Sequence, residues 1–163
     1  MSESLNEQAK RTLLRTLPHP LNICGVKEGE TVNGFTLSWT TQASFKPPLV
    51  AIGVRQESQS HAMLIASQVF AISFLEQHQK EIAELFFKPQ QGTGARFGEV
   101  EYELGAITGC PVLKDCLGYV ECRVQGQLAG GDHSIFMGEV VAAHEYRTGD
   151  PLWLSDTSWQ YGG

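Results

Sequence analysis

The stretch GGDHSIFMGEV, residues 130–140, joins a turn to a long apolar segment. Gly130 and Gly131 mark the turn, because glycine adopts backbone angles that other residues avoid. Residues 134–146 are apolar on both faces of an extended chain, which predicts a long buried strand. Asp132 and His133 stand at the mouth of this strand. They are either plain turn residues or the polar edge of a ligand pocket.

Apolar and β-branched runs on both sides of this stretch predict further short strands. They cover residues 21–27, 33–42, 49–54, 69–75, 117–128 and 151–155. Alternation within 117–128 assigns one face to Val120, Cys122, Val124 and Leu128 and the other face to Tyr119, Glu121, Arg123 and Gln125. The segment FKPP, residues 45–48, predicts a bend, because proline cannot donate to a sheet ladder.

Helical spacing predicts a helix over 3–17, with Ser2 or Ser4 as its N-cap, and a second helix over 61–68 capped by Ser60. A third, amphipathic helix is predicted over 78–87. Residues 88–98 are predicted as a loop, and 156–163 as a tail without a core pattern. Many short strands with few helices predict a mainly β fold, a β-barrel with helical decorations, in one domain over 1–163.

Composition narrows the function. With 163 residues, 42% hydrophobic and 18% charged, the chain can bury a core. Its net charge of -6 argues against nucleic acid or an anionic membrane as the main partner. No signal peptide or bilayer-spanning run is present, so a cytoplasmic protein is expected. Free thiols and no metal site are expected of Cys24, Cys110, Cys116 and Cys122, whose spacing fits no zinc motif.

Two polar stretches are candidate binding elements. TLSWTTQAS, residues 36–44, carries five hydroxyl side chains, which either decorate an edge strand or bond a polar ligand. RQESQSH, residues 55–61, lies where a helix is predicted to begin. Its hydroxyls either cap that helix or hold a phosphate beside the helix N–H groups. No glycine-rich nucleotide motif is present, which argues against a Rossmann or P-loop site.

Four stretches together resemble the flavin reductase-like, FMN-binding split-barrel family. They are NGFTLSWTTQASFKPPLVAIGV, SQSHAMLIASQVFAISFL, GCPVLKDCLGYVECRV and GGDHSIFMGEV, and they cover roughly residues 10–146 in the family's order. The last two are also similar to flavoredoxin and to the flavin reductase module of cyanobacterial flavodiiron proteins. One departure is Phe74-Leu75, where many members have Asn before the Leu.

The resemblance implies an FMN site, with FAD as the alternative flavin, and NAD(P)H as co-substrate. The cofactor-binding residues it implies are Thr36, Leu37, Ser38, Trp39, Thr40, Arg55, Gln56, Ser58, Ser60, His61 and Asp132. His133 is implied as the catalytic residue, near the flavin face where the nicotinamide docks. A homodimer is also implied, and Trp39, Trp159 and Tyr161 lie either at that interface, in a pocket wall, in the core or in a tail.

The leading hypothesis is an NAD(P)H-dependent flavin reductase that passes electrons to a partner monooxygenase or a redox protein. The alternative is a non-enzymatic FMN electron-transfer protein of flavoredoxin type, which shares the fold and the flavin but lacks a productive nicotinamide site. A barrel without flavin, similar to haem-utilisation proteins, is the third hypothesis.

Overall fold

The computed structural model describes residues 4–163, and 46% of the chain is strand against 16% helix. The predicted mainly β fold is therefore confirmed. The helices are α1 (Glu7–Leu14), α2 (Gln59–Ser67), α3 (Lys80–Leu85) and a 3-10 helix, η1 (Leu154–Asp156). The strands are β1 (Asn22–Glu28), β2 (Thr31–Leu37), β3 (Thr40–Ser44), β4 (Leu49–Arg55), β5 (Val69–Phe74), β6 (Gln90–Gln91), β7 (Arg96–Phe97), β8 (Val100–Leu104), β9 (Pro111–Leu113), β10 (Gly118–Ala129) and β11 (His133–Glu145).

Eight of these strands form one antiparallel sheet in the order β3-β4-β11-β10-β5-β1-β2-β6. A small second sheet has the order β7-β8-β9. The long hairpin of β10 and β11 is the centre of the large sheet, and β11 pairs with β4 over residues 133–139. The opening stretch of the sequence analysis is thus the turn and second strand of the hairpin that organises the fold.

The large sheet curls on itself. Strands β2 and β4 are five positions apart in the sheet order, which in a flat sheet is roughly 24 Å at about 4.8 Å per strand. Residues 35–37 of β2 and residues 53–55 of β4 nevertheless line one cavity. The curl brings these two strand ends together and leaves β3 and β6 as the edges of an open barrel.

Two large cores lie on either side of the β1–β5 region. One is enclosed by the curled sheet and is closed by α2, whose Met63 and Leu64 are buried against Phe70 and Phe136. The other lies under α3 and the small sheet, around Phe86. The four cysteines are buried as free thiols, in agreement with the expectation.

Several element boundaries differ from the predictions. The strand predicted over 33–42 is interrupted at Ser38 and Trp39, and residues 151–155 form two isolated bridges and the start of η1 instead of a strand. The predicted loop 88–98 contains β6 and β7. Helix α1 is shorter than predicted and is capped by Asn6, not Ser4; Ser2 and residue 3 lie outside the described residues.

Strand β10 departs from the predicted alternation. The register shifts between Glu121 and Cys122 and again between Val124 and Gly126, because β-bulges interrupt the ladder. Glu121 keeps the predicted facing, on the side of Tyr119 and opposite Cys122; it is buried there, and its carboxylate accepts hydrogen bonds from the backbone N–H and hydroxyl of Thr108. Leu128, predicted on the apolar face, is 68% exposed near the tip of the hairpin. The extra residue of β10 between Val124 and Gly126 reverses the facing of Leu128.

Among residues 4–163, no helix has the length and apolar character needed to cross a bilayer.

Candidate functional site

A cavity of about 700 Å³ opens where the ends of β2 and β4 meet the start of α2 and the C-terminal segment. Its volume is in the range of ligand pockets in proteins. The lining residues come from four parts of the chain: Leu21 and Phe35–Trp39, Gly53–Arg55 with Glu57, Ser58 and Ser60, Phe86, Phe87 and Pro89, and His133 with Leu154, Trp159, Gln160 and Tyr161.

The interruption between β2 and β3 shapes one wall of the cavity. Ser38 and Trp39 lie outside both strands, so only part of their backbone is paired; the Trp39 carbonyl accepts from the Gly53 N–H at 2.9 Å. The Trp39 ring lies over Gly53, where an added Cβ would come within 3.2 Å of it. Glycine at 53 therefore lets the indole lie flat against β4 and leaves backbone groups of the break facing the cavity.

The start of α2 forms the opposite, anion-favouring end. The N-cap is Ser58 and not Ser60 as predicted: Ser58 Oγ accepts from the His61 N–H at 3.1 Å and donates to the Arg55 carbonyl at 2.8 Å. The N–H groups of Gln59 and Ser60 have no acceptor among the described residues. They leave two donors at a helix N-terminus, which attracts anions.

Ser60 adds a third donor at this end. Its side chain is buried at the cavity, and Ser60 Oγ has no hydrogen-bond partner within residues 4–163. A buried hydroxyl without a partner is costly, and a ligand oxygen would relieve that cost. Arg55 stands at the same end without an ion pair among the described residues, next to the exposed carboxylate of Glu57.

His133 is held between three groups at the cavity wall. Its Nδ1 is 2.6 Å from Asp132 Oδ1, its Nε2 is 3.3 Å from the Tyr161 hydroxyl, and its ring centroid is 4.4 Å from that of Trp39. The His133 side chain is 13% exposed and the Asp132 side chain 92% exposed. The hydrogen bond from His133 lowers the pKa of the Asp132 carboxyl below its usual value.

The structure brings eight of the twelve predicted site residues into the cavity lining: Thr36, Leu37, Ser38, Trp39, Arg55, Ser58, Ser60 and the predicted catalytic residue His133. Thr36 is partly committed elsewhere, because its hydroxyl donates to the Ala83 carbonyl at 2.6 Å and ties β2 to α3.

Thr40, Gln56, His61 and Asp132 are not part of the cavity wall. Thr40 pairs with Ile52 inside the sheet. The Gln56 N–H donates to the Asp132 carbonyl at 2.9 Å, which joins the end of β4 to the turn before β11. The His61 ring points from α2 to β11, with Nε2 at 2.8 Å from Ser134 Oγ. Partial burial lowers the pKa of His61. Asp132 reaches the site only through His133.

The sequence analysis missed the wall formed by α3 and most of the wall formed by the C-terminal segment. Phe87 and Trp159 meet edge to face, with ring centroids 4.8 Å apart. Tyr161 lies 5.3 Å from Trp39, measured between ring centroids. Of the alternatives open for Trp159 and Tyr161, the structure selects the pocket wall, and Trp159 also packs against the core under α3. Their signal in the sequence was two aromatic residues without core periodicity.

Comparison with known proteins gives a consistent assignment. The family model described as "Flavin reductase like domain" matches residues 14–162. An NADH-dependent FAD reductase from Streptomyces globisporus is 35% identical over 116 residues, which are 71% of this chain and 64% of that protein. A putative diflavin flavoprotein from Synechocystis is 30% identical over 161 residues, which are 92% of this chain and 27% of that protein. The chain thus spans less than two thirds of the length of these curated relatives.

A solved structure matches nearly the whole chain. The NADH:FAD oxidoreductase of Streptomyces globisporus C-1027, solved in complex with NAD and FAD fragments, has a TM-score of 0.80 and 29% sequence identity. The match covers 95% of this chain and 93% of that one. The curled sheet and its helical decorations are therefore those of a known flavin reductase fold, the split barrel.

Proposed function

The chain belongs to the flavin reductase-like domain family, and on that premise we propose that it binds FMN and reduces flavin with NADH or NADPH. The observation that carries the proposal is the cavity itself, because it combines an anion-favouring end with an aromatic and backbone-lined end. FAD is the alternative flavin. The reaction moves a hydride from the dihydronicotinamide to oxidised flavin, and flavin supplies this chemistry when it is bound.

The phosphate end of the proposed site is the start of α2. The free N–H groups of Gln59 and Ser60 and the unpartnered Ser60 hydroxyl would bond phosphate oxygens, and Arg55 would add a charge-assisted contact. The buried, unpartnered hydroxyl is the strongest sign that the residues present fit such a group. Ser58 contributes indirectly, because its hydroxyl is already engaged in capping α2.

The ring end of the proposed site is the break between β2 and β3. Unpaired backbone groups of Ser38 and Trp39 offer hydrogen bonds to a polar ring edge, and the Trp39 indole gives an aromatic wall. Phe87 and Trp159 add a second pair of aromatic rings to the cavity lining, and such apolar surface would help to exclude water from a bound ring. Fixed donors in a partly dry site stabilise developing negative charge better than water does, which supports reduction and not only binding.

His133 is the proposed contact for the nicotinamide. Asp132 accepts from Nδ1, so in the neutral ring Nε2 is the nitrogen that can accept a hydrogen bond from a ligand. A carboxamide N–H is a suitable donor for it. In this role His133 orients the co-substrate by a hydrogen bond and is required neither to take nor to give a proton.

A homodimer is part of the proposal. An apolar patch lies beside His133 on the outward face of β11: Ile135 is 49% exposed and Met137 38% exposed. Leu128, paired with Ile135, extends the patch across the hairpin and is 68% exposed. Contiguous exposed apolar residues of this kind are typical of protein interfaces, and this patch is continuous with the cavity mouth at Gly53.

The proposed electron acceptor is a partner monooxygenase or a redox protein, to which the reduced flavin or its electrons pass. A cytoplasmic location is proposed with it, because NAD(P)H is a cytoplasmic reductant and the buried cysteines are thiols. Neither the electron acceptor nor the location is inferred from a particular residue of the cavity.

The experiment that tests the function is an anaerobic titration of FMN-loaded protein with NADH and then with NADPH, followed by flavin absorbance. We expect the absorbance band of oxidised flavin to bleach after about one equivalent of NADH or NADPH per bound FMN has been added. Tight FMN binding without bleaching would leave the flavoredoxin-type electron-transfer function in its place. Protein that binds neither FMN nor FAD would contradict the proposal and would favour the flavin-free barrel, the third hypothesis of the sequence analysis.

A further inference from the structure

The Tyr161 hydroxyl lies at hydrogen-bond distance from the His133 ring at the cavity wall, and Asp132 lies at the other ring nitrogen, so both nitrogens are engaged. Nδ1 is 2.6 Å from Asp132 Oδ1, and Nε2 is 3.3 Å from the Tyr161 hydroxyl. A carboxylate only accepts, so Nδ1 carries a proton; in the neutral form of the ring Nε2 is then an acceptor, and the Tyr161 hydroxyl is its donor. No further donor can use Nε2 while Tyr161 is in place.

This arrangement leads to an inference that rests on the proposed function. We propose that Tyr161 occupies the subsite of the nicotinamide carboxamide and must be displaced before the co-substrate can bond to His133. Tyr161 is thus a specificity-determining residue: its hydroxyl donates the hydrogen bond that the carboxamide N–H would donate, and its ring contacts the Trp39 indole at a tilt of 55°. A ligand without a donor to replace the hydroxyl gains nothing by displacing it.

The segment that carries Tyr161 is suited to displacement. Trp159 is packed against Phe87 and the core under α3, so the chain is fixed at that residue. Beyond Trp159, residues 160–163 make three hydrogen bonds to the rest of the described chain. Two come from Arg15: Nη1 donates to Gln160 Oε1 at 2.6 Å, and Nε donates to the Gly162 carbonyl at 3.1 Å. The third is the contact of the Tyr161 hydroxyl with His133.

These ties are exposed, and exposed polar contacts hold a segment weakly because water competes for them. Tyr161 is 39% exposed, so its ring is not locked into the core. Gly162 has φ +84 and comes close to the Trp39 ring, which places a flexible residue directly after Tyr161. Residues 160–163 can therefore swing about the fixed Trp159 at small cost.

The test measures binding and not turnover. Oxidised nicotinamide mononucleotide is titrated into FMN-loaded protein by calorimetry, for the wild type, Tyr161→Phe, Tyr161→Ala and Arg15→Ala. Tyr161→Phe is expected to tighten nicotinamide mononucleotide binding about threefold and Tyr161→Ala about tenfold, the range of one ordinary hydrogen bond. Arg15→Ala, which frees the segment without touching the cavity, is expected to shift affinity in the same direction.

The matched control is Tyr146→Phe. The Tyr146 hydroxyl also makes one hydrogen bond, to Glu103 Oε1 at 3.0 Å, but it lies away from the cavity. Nicotinamide mononucleotide affinity should be unchanged in this variant. FMN affinity, measured separately, should be unchanged in Tyr146→Phe and Arg15→Ala, and the Tyr161 variants are compared with the wild type at saturating FMN.

A second readout needs no ligand. Nitrogen NMR of the His133 ring in the flavin-free protein reports whether Nε2 accepts a hydrogen bond, and Tyr161→Phe should move that resonance toward the value of an unbonded nitrogen. Unchanged or weaker nicotinamide binding in the Tyr161 variants, with FMN bound normally, would overturn this inference alone. Loss of FMN binding by the wild type would instead overturn the proposed function and the inference with it.

Discussion

Asp132 Oδ1 lies 2.6 Å from His133 Nδ1, so a carboxylate holds one nitrogen of the histidine before any ligand is present. The carboxylate is 92% exposed while the histidine is 13% exposed. Asp132 is therefore a solvent-side support that fixes the tautomer and the orientation of a cavity-side ring. The two residues have separate tasks, and a substitution of either should have a different effect.

Replacing His133 should affect the nicotinamide step and spare the flavin. His133→Ala is expected to keep FMN affinity within about threefold, under ~0.7 kcal/mol. It is expected to lower kcat/KM for NAD(P)H by roughly ten- to a hundredfold, the value of one or two lost hydrogen bonds. Fluorescence titration with FMN and steady-state kinetics measure the two quantities.

Asp132→Asn is the matched control, because the amide oxygen can still accept from Nδ1. Its effect on kcat/KM should be smaller than that of His133→Ala. If FMN is lost from His133→Ala, the histidine belongs to the flavin site or to the fold. If neither FMN binding nor reduction changes, His133 is only the first residue of β11.

Replacing each of the two serines at the start of α2 should affect different properties: Ser58 mainly the stability of the fold, and Ser60 mainly the binding of FMN. Ser58→Ala removes the N-cap and should lower the free energy of unfolding by about 1 kcal/mol. Ser60→Ala removes an unpartnered buried hydroxyl and should leave the free energy of unfolding unchanged or raised. For FMN binding the order reverses: Ser60→Ala should weaken it by about 1.5–3 kcal/mol, the value of one hydrogen bond to a charged group.

Urea unfolding of the flavin-free variants and FMN titration of the folded ones provide these numbers. Arg55→Gln should weaken FMN binding further when combined with Ser60→Ala and should reduce its dependence on salt. FMN affinity that is unchanged in Ser60→Ala would place the phosphate away from the start of α2.

Local pattern predicted much of the barrel, and the exceptions have identifiable causes. Strands β1, β4, β5 and β11 were predicted within one or two residues, because continuous apolar runs fix a buried strand. Strand β10 was predicted, but the facing of Leu128 was wrong, because a bulge is invisible to a period-two pattern. The N-cap was assigned to Ser60 although Ser58 holds it, since two serines near a helix start offer the same signal.

Parts of the site that are formed by one continuous segment could be predicted from the sequence. Parts that are formed by residues far apart in the chain could not. The segment 36–39 and the start of α2 were found from hydroxyl-rich local sequence. Phe87 and Trp159 come from segments 72 residues apart, and their meeting could not be derived from spacing. His61 was implied as a site residue by the resemblance, as the last residue of the segment 55–61, but its ring nitrogen Nε2 lies at Ser134 Oγ and not in the cavity.

His61 should therefore affect acid stability and not flavin binding. Partial burial lowers the pKa of His61 in the folded chain, so the unfolded chain binds the proton at higher pH. Where the unfolded state binds more protons, stability rises with pH, so this histidine destabilises the fold as the pH falls below about 6.5. His61→Gln should flatten the decline in the free energy of unfolding between about pH 7 and pH 5.

The comparison uses urea unfolding of both proteins at several pH values, and the difference between their slopes is the quantity of interest. His19, whose pKa burial also lowers, is present in both proteins and cancels in that difference. FMN affinity of His61→Gln should stay within about twofold of the wild type. A large loss of FMN would mean that the ring, and not only its backbone N–H, supports the site.

The exposed patch on β11 should be the interface of a homodimer. Ile135 and Met137 lie on the face that also presents His133, so an interface there would also cover the mouth of the cavity. The wild type is expected at twice the 17.9 kDa chain mass in light scattering at micromolar concentration. Ile135→Glu should shift the mass to that of one chain, because a buried, unpaired carboxylate costs several kcal/mol at an interface.

Ile65→Glu is the control, since Ile65 is 41% exposed on α2, away from the patch, and should leave the dimer intact. A wild type at 17.9 kDa would contradict the dimer, and a dimer that survives Ile135→Glu would place the interface on another face.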